Sequence, residues 1–426
     1  MRAALDAADA GRLVRLAVAD PAIAAALRAA TAVDVLAVGK AAAPMLNAFV
    51  AEALASLRYC SAIVPDPASG GSGEARRPEV PPGTRMQVAA HPVPDARSVS
   101  AAHVALSRAA FIGEKELLVV LLSGGASSLM ALPAEGITLE DKQLTAQRLL
   151  AHGAEIHHLA AVRKHLSSVK GGRLAAATAG SVLTLAVSDV VGDDLSAIGG
   201  GPTVADETTF AAALGVLEEY GGAAAYPAAV VARLEHGAGG NIPETPKPGD
   251  PALARSTARV IGGRHAALAG ARQVAEALGY TVHVIEEPTL GDARTAGEKL
   301  VHVAAGISRK EATCILAAGE TTVHVTGTGK GGRNQECALG MAIALHALGG
   351  HAVAASVGTD GVDGPTDAAG AIVDSTTLTR ARTAGLDVEA YLNDNDTYAF
   401  FTQLDDLMRT GATHTNVGDV QVILMN

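Results

Sequence analysis

The chain has 426 residues, of which 49% are hydrophobic and 3% aromatic, and it carries a formal net charge of −11. Its length predicts two or three domains, and its apolar content is sufficient for a large core. The acidic balance argues against nucleic acid as the main partner, and no run reaches the ~18 apolar residues of a membrane span.

The cysteines and the N-terminus indicate where the protein works. Cys60, Cys314 and Cys337 lie far apart in sequence and fit no zinc or redox spacing. A reducing compartment is the simplest interpretation. The first residues lack the basic region and apolar core of a secretory signal. We therefore expect a cytoplasmic protein with no membrane partner.

The first half of the chain alternates between predicted strands and predicted helices. Residues 3–29 predict two helices that are broken at Asp20-Pro21, and residues 155–177 predict one long helix. The clearest buried strands are Val33–Val38, Leu117–Leu122 and Ser181–Val187. This alternation predicts a mostly parallel sheet with helices on both faces.

Each of these three strands is followed by residues suited to binding an anion or a metal. Lys40 follows the first, and Asp189 follows the third, as nucleotide enzymes often place a carboxylate near Mg²⁺. The second runs into a serine- and glycine-rich segment: Ser123, Gly124, Gly125, Ser127 and Ser128. Ligands bind at this edge of open α/β sheets. An exposed lysine and an ordinary turn capped by serine are the alternatives that stay open.

The predicted long helix carries a narrow cluster of cations. Arg163 and Lys164 are adjacent, and Lys170 and Arg173 follow within the same predicted helix. A charge run on a helix is usually a solvated face. Because an apolar stripe accompanies this run, Arg163 and Lys164 are candidates for binding a substrate carboxylate.

The second half alternates in the same way after a Gly- and Pro-rich segment at 237–251, which predicts a domain boundary. We expect domains at 1–240 and 253–426. Between the predicted strand Ala312–Ala318 and the predicted helix Asn334–Leu348 lies a glycine-rich turn. Such a turn exposes backbone N–H groups at a helix N-terminus, where an anion can bind.

The glycine-rich turn fits no common nucleotide motif. Gly327, Gly329 and Gly332 match G-x-G-x-x-G, but the next strand ends without the Asp or Glu that would hold a ribose. A Walker A loop fails because Gly331 follows Lys330 where Ser or Thr should hold magnesium. A phosphate loop of another type remains, with a tight glycine connection as the alternative.

A further loop after the predicted strand His351–Val357 is rich in carboxylates and glycines. Asp360, Asp363 and Asp367 lie within eight residues of one another and could hold a metal or a hydroxyl-bearing substrate. The loop is not an EF-hand, because the spacing and the closing Glu are absent.

Taken together, these segments resemble the glycerate 2-kinase family with DUF4147 and MOFRL domains, once labelled hydroxypyruvate reductase. The matching segments, in family order, are Val38-Gly39-Lys40-Ala41, residues 122–128, residues 162–174, Ser188-Asp189-Val190, residues 200–203, Gly319-Glu320-Thr321, residues 329–336, residues 358–366 and Thr415-Asn416-Val417. The resemblance implies ATP- and Mg²⁺-dependent phosphorylation of D-glycerate at its 2-hydroxyl. It also implies a Rossmann-like first domain, a second α/β domain with the MOFRL region at about 312–420, and an active site in the cleft between them.

The resemblance, together with the chemistry of phosphoryl transfer, yields a set of expected site residues. Lys40 and Arg333 are expected to face the transferred phosphoryl group. Asp189 is expected to bind magnesium or orient the substrate hydroxyl. The residues expected to contact nucleotide or substrate are Ser123, Gly124, Gly125, Ser127, Ser128, Arg163, Lys164, Glu320, Lys330, Gly331, Gly332, Asn334, Asp360 and Asp363.

Two other functions stay open. An NAD(P)H-dependent hydroxypyruvate reductase is suggested by the G-x-G-x-x-G match. A catalytically silent ligand-binding relative is suggested by departures from the family pattern at His158, Ala160 and Arg264. A small-molecule substrate is expected with either enzyme, and a homodimer is left open.

Overall fold

The structure is a computed structural model that describes residues 1–52, 55–67, 77–307, 311–413 and 415–425. The described residues of 13–69 and 76–261 form one compact unit, and those of 1–12 and 262–426 form a second. We call them the first and second units. This division follows Ile261 and assigns the first twelve residues to the second unit, whereas the predicted domains are contiguous.

The strands divide between two sheets. Those of the first sheet are β1 (Val33–Val38), β2 (Leu57–Pro65), β3 (Arg85–Ala89), β4 (Leu117–Leu122), β5 (Ser181–Val187) and β6 (Ser256–Gly262). Those of the second are β7 (Thr281–Val284), β8 (Thr289–Asp292), β9 (Thr313–Thr322), β10 (Ala352–Gly358), β11 (Gly370–Asp374), β12 (Leu407–Met408) and β13 (Asp419–Met425).

The helices lie between these strands and before β1. They are α1 (Arg2–Ala7), α2 (Ala10–Val18), α3 (Pro21–Ala29), α4 (Ala42–Ala51), α5 (Ala96–Phe111), α6 (Ala126–Leu129), α7 (Leu139–Ala151), α8 (Ile156–His165), α9 (Arg173–Ala176), α10 (Phe210–Glu219), α11 (Ala228–Ala238), α12 (Arg264–Ala277), α13 (Ala293–Gly306), α14 (Arg333–Leu348), α15 (Thr377–Thr383), α16 (Val388–Asn393) and α17 (Thr397–Leu404). No helix in the described part of the chain has the length and apolarity needed to cross a bilayer.

The first sheet confirms the predicted Rossmann-like arrangement. Its strand order is β3-β2-β1-β4-β5-β6, and the pairs β2–β3, β1–β2, β1–β4 and β4–β5 are parallel. Every residue of β1 and β4 is buried, as expected for strands covered on both faces. The strand order reverses direction between β1 and β4, which is where ligands bind in doubly wound folds.

The second sheet confirms a second α/β unit but is mixed rather than parallel. Its order is β12-β11-β10-β13-β9-β7, with β8 also paired to β9. β7 and β8 run parallel to β9, whereas β13 is antiparallel to both β9 and β10. Helices α13 and α14 contribute many of the side chains in the core of this unit.

Two helix predictions need correction. The predicted helix over 155–177 is wrong: α8 ends at His165, and Gly171 and Gly172 have φ of +58° and +80°, which a helix does not allow. The N-terminal segment forms three helices, not two. The predicted break at Asp20-Pro21 is confirmed, since Asp20 caps α3 by accepting hydrogen bonds from the N–H groups of Ala22 and Ile23.

The ends of β1 and β4 approach each other unusually closely. A Cβ placed on Gly39 would lie 2.1 Å from Ser123 Oγ and 2.6 Å from Ser123 O, and the φ of Gly39 is +130°. Only glycine fits this backbone conformation and this spacing. The loop after β1 is therefore pressed directly against the loop after β4.

We expect Gly39→Ala to lower the free energy of unfolding by about 3 kcal/mol or more, because a Cβ collides with backbone atoms in a strained conformation. The matched control is Gly83→Ala, which also has positive φ (+80°) but no atom within 4 Å of the added Cβ, and should cost about 1 kcal/mol. Urea denaturation measures both values. Equal losses for the two variants would contradict the close approach.

Candidate active site

Backbone pairing brings Lys40 and the Ser123–Ser128 segment together at the edge of the first sheet. Val38 is opposite Leu122 in the β1–β4 register, so both loops begin at the same level. The Lys40 N–H donates to Gly124 O (2.8 Å), and the Ala41 N–H donates to Ser123 Oγ (3.1 Å). Ser123 is therefore used to join the two loops.

The side chain of Lys40 passes over a glycine of this segment. A Cβ on Gly125 would be 3.5 Å from Lys40 Cγ and 3.0 Å from the ring of His91, and the φ of Gly125 is +84°. Ser128, further along α6, donates from Oγ to Pro92 O (2.6 Å). This glycine thus leaves space for the lysine stem beside the loop.

Asp189 follows β5 at the same edge. β5 is paired with β4 such that Ala186 lies opposite Leu122, and Asp189 is partly exposed. Ser188 fixes the turn, since its Oγ accepts from Val190 N–H (3.2 Å). Within the described residues, no three His, Cys, Asp or Glu side chains are arranged to hold a metal ion.

The two adjacent cations of α8 lie in different surroundings. Lys164 is 3% exposed, and its ammonium contacts Asp206 Oδ1 (3.1 Å), a carboxylate that is itself fully buried. A role for Lys164 in substrate binding does not fit this burial. Arg163 instead lines a cavity next to α6 and α7.

Lys170, absent from the predicted contacts, connects the segments around this edge. It is 2% exposed, and its Nζ donates to Ser127 O (2.9 Å), Ser127 Oγ (3.0 Å) and Gly199 O (2.9 Å). The basic run 170–173 marks it in the sequence. The sequence did not reveal this role, because Lys170 lies in a loop that directs its side chain inward, not in the predicted helix.

In the second unit, Arg333 is held by a buried carboxylate. Its Nε and Nη2 donate to the two oxygens of Asp419 (2.7 and 3.0 Å), and Nη1 lies 3.1 Å from Glu320 Oε1. Asp419 is fully buried. A bidentate pair fixes both the position and the plane of the guanidinium. Asp419 begins β13, a strand that the sequence analysis missed.

The N-terminus of α14 is already capped by a carboxylate of this chain. Asp363 accepts hydrogen bonds from the N–H groups of Asn334 (3.0 Å) and Gln335 (2.8 Å). Burial raises its pKa to about 6 despite these bonds, and the neighbouring Asp419 adds to the rise. The site predicted to bind a phosphate at this helix start is thus occupied by Asp363.

The backbone N–H groups of the glycine-rich turn are likewise hydrogen-bonded to side chains of the second unit. The N–H groups of Thr328 and Lys330 donate to Asp394 Oδ1 (2.8 Å) and Asp396 Oδ1 (3.0 Å). A Cβ on Gly329 would lie 2.3 Å from Asp396 Cβ. These glycines are required by close packing against residues 394–396. This favours the alternative that the glycines serve a tight connection and do not form a phosphate loop.

The remaining predicted contacts of this unit surround the same turn. A Cβ on Gly331 would lie 2.3 Å from Thr397 Oγ1, and one on Gly332 2.3 Å from Asp363 Cγ. Asp360 accepts a hydrogen bond from the Val362 N–H (3.1 Å), which shapes its own loop. The structure therefore groups Glu320, Arg333, Asn334 and Asp363 around α14, with Asp360 in the loop after β10.

Comparisons with known proteins agree with this fold. Residues 1–235 match the family described as Domain of unknown function (DUF4147), and residues 313–419 match the MOFRL family. The chain is 39% identical to a glycerate 2-kinase of Pyrococcus horikoshii, covering 79% of this chain and 77% of that protein. It is 38% identical to a D-glycerate 2-kinase of Thermotoga maritima, covering 79% of each chain.

A solved structure of a glycerate kinase has the same fold. The crystal structure of glycerate kinase from Thermotoga maritima superposes with a TM-score of 0.84 and 34% identity, covering 100% of this chain and 97% of that one. These relatives identify the chain as a small-molecule kinase that uses a nucleotide. The chain belongs to the glycerate kinase family with DUF4147 and MOFRL domains.

The raised pKa of Asp363 predicts a pH-dependent stability. A carboxyl group with pKa about 6 in the folded chain and 3.8 unfolded destabilises the fold fully above pH 6 and not below pH 4. Relative to Asp363→Asn, the wild type should therefore lose about 2 kcal/mol of unfolding free energy between pH 4 and pH 6, out of a total of about 3 kcal/mol over the whole titration.

The matched control is Asp374→Asn. Burial alone would raise the pKa of Asp374, but hydrogen bonds from Thr376 lower it below 3.8. Its stabilising effect is lost only as the pH falls through that lower value, so its difference from wild type should be flat between pH 4 and 6. Urea denaturation at four pH values measures both. A flat difference for Asp363→Asn would contradict the assigned burial.

Proposed function

We propose that this chain transfers a phosphoryl group from ATP, bound with Mg²⁺, to the 2-hydroxyl of D-glycerate. The observation that carries the proposal is the placement of Lys40 beside Gly124 and Gly125 at the β1–β4 switch point. The proposal is supported by relatives that are named glycerate 2-kinase and D-glycerate 2-kinase.

The residues present fit a nucleotide and its metal. When bound, ATP supplies the phosphoryl group and Mg²⁺ neutralises phosphate charge. A magnesium ion that travels with phosphates needs only one or two protein carboxylates. Asp189 would supply one at the end of β5, which agrees with the lack of a three-residue metal cluster in the described chain. Its alternative role is to orient the substrate hydroxyl.

Lys40 would act as a point charge. Its stem passes beside Gly125, and its ammonium is a compact, strongly hydrated cation at the end of a four-carbon stem. Phosphoryl transfer depends on positioning and charge neutralisation more than on covalent catalysis. The lysine is therefore proposed as a catalytic residue.

Arg333 would act as a fixed charge. Asp419 holds Nε and Nη2, so the guanidinium cannot rotate, and Nη1 remains for a phosphate oxygen in addition to its contact with Glu320. A preorganised cation costs little reorganisation when charge develops. In this proposal Asp419 is a positioning residue.

The reductase alternative loses its main support. It rested on G-x-G-x-x-G, yet in that turn the N–H groups of Thr328 and Lys330 are used by Asp394 and Asp396, and Gly329 packs tightly against Asp396. A pyrophosphate needs such N–H groups to be available.

The cytoplasmic location, the homodimer and domain limits of 1–240 and 253–426 stay predictions from the sequence.

We expect Lys40→Met to lower kcat/KM for D-glycerate by about 10²- to 10³-fold, because a charge facing the transferred group is lost. The matched control is Lys115→Met, an exposed lysine of the same unit, which should keep wild-type kinetics. ADP release with Mg-ATP and D-glycerate measures both, with circular dichroism to check folding.

Two results would count against the proposal. A folded Lys40→Met protein with wild-type turnover would remove Lys40 from the mechanism. A wild-type protein that releases no ADP with D-glycerate but oxidises NADH with hydroxypyruvate would replace the kinase by the reductase.

A further inference from the structure

A cavity of the first unit is lined by cations without matching carboxylates. It has a volume of about 50 Å³, is open to solvent, and lies between α6, α7 and α8. Lys142, Arg163 and Lys170 line it, and none of the described lining residues is Asp or Glu. A cationic pocket without internal counter-charge attracts anions.

Lys142 is the unusual group in this cavity. Its Nζ is buried and has no hydrogen-bond partner among the described residues, although the stem of the side chain is partly exposed. A buried donor left unsatisfied costs about 1–3 kcal/mol, so such groups require an explanation. A ligand that accepts from this nitrogen would remove the cost.

The other two cations differ in what they can still bind. Lys170 Nζ already donates to Ser127 O, Ser127 Oγ and Gly199 O, which accounts for the three N–H groups of an ammonium. Arg163 presents a guanidinium, whose planar donors match a carboxylate. Lys142 and Arg163 are therefore the two groups suited to contact a ligand.

The residues that line the cavity indicate the chemical character of the ligand. Leu149, Leu159 and Val162 supply apolar lining in the same cavity. Ser127 and Ser128 of α6 line the same cavity, and α6 begins directly after Gly125, against which Lys40 packs. The cavity thus suits a small organic acid, and its α6 wall adjoins the glycine against which Lys40 packs.

We propose that Lys142 and Arg163 bind the carboxylate of the phosphoryl acceptor in this cavity. The inference rests on the proposed kinase function and adds Lys142, which no sequence motif supplied, to Arg163, which the sequence had already made a candidate for the carboxylate. Lys142 thereby becomes a specificity-determining residue for acids over uncharged polyols.

The charge state of Lys142 gives the proposal a distinctive signature. Burial lowers its pKa to about 7, and Arg163, Arg173 and Arg233 add to the effect. Burial also lowers the pKa of Lys170 well below its usual value, and Lys142 and Arg163 add to the lowering. A carboxylate would favour the protonated ammonium, so ligand binding at pH 8 should be accompanied by net proton uptake.

The test is calorimetry of the full chain with D-glycerate and no nucleotide, at pH 8 in two buffers of different ionisation enthalpy. Wild type should bind with proton uptake. Lys142→Met should bind about 10- to 100-fold more weakly and without uptake, because a charge-assisted bond is lost. Lys142→Arg should restore binding without uptake, since arginine stays charged. Lys115→Met should match wild type.

Steady-state kinetics separate this inference from the proposed function. Lys142→Met should raise KM for D-glycerate about tenfold or more and leave KM for ATP within about twofold. An active wild type with an unchanged glycerate KM in Lys142→Met, or a raised KM for ATP alone, would overturn the carboxylate site while the kinase function stands.

The converse outcome is also informative. A wild type that makes no product but binds D-glycerate with proton uptake, lost in Lys142→Met, would support the site and sink the kinase. Tight binding of inorganic phosphate with no binding of D-glycerate would assign the cavity to a phosphate and overturn the inference. The thermal midpoint of each variant checks that it is folded.

Discussion

The close approach of Gly39 to Ser123 is the constraint on which the strand-end site depends. Because β1 and β4 are adjacent, parallel and fully buried, their following loops leave the sheet at one level. The lack of a side chain at Gly39 lets these loops touch, and the N–H of Ala41 then binds Ser123 Oγ. The backbone of the lysine between them is therefore positioned by contacts of both loops.

In the second unit, a buried polar network has the corresponding role. Asn334 Nδ2 donates to Asp419 Oδ1 (2.9 Å), and Ser356 Oγ donates to Asn334 Oδ1 (2.6 Å), so the carboxylate that holds Arg333 is itself held. Charge-assisted hydrogen bonds to a buried carboxylate restrict the geometry of the groups that make them. The start of α14 is thus organised around Asp363 and Asp419, which makes Arg333 a preorganised cation.

Strands that depend on a local residue pattern could be predicted from the sequence. Contacts between residues that are distant along the chain could not. β1, β4 and β5 were found with their bounds because contiguous apolar runs identify buried parallel strands. Arg333 pairs with a residue 86 positions away, and the capping role of Asp363 requires the loop after β10 to reach α14. Lys142 has no local signal, since one lysine on an amphipathic helix resembles any solvated cation.

The proposed reaction is phosphorylation of D-glycerate at its 2-hydroxyl. Phosphorus NMR of the purified protein with Mg-ATP and D-glycerate is the most direct test, because the spectrum identifies the phosphorylated position. We expect a 2-phosphoglycerate signal that grows as ATP falls. A 3-phosphoglycerate signal would contradict the assigned position, and folded protein that gives no phosphorylated product would contradict the kinase function for this substrate.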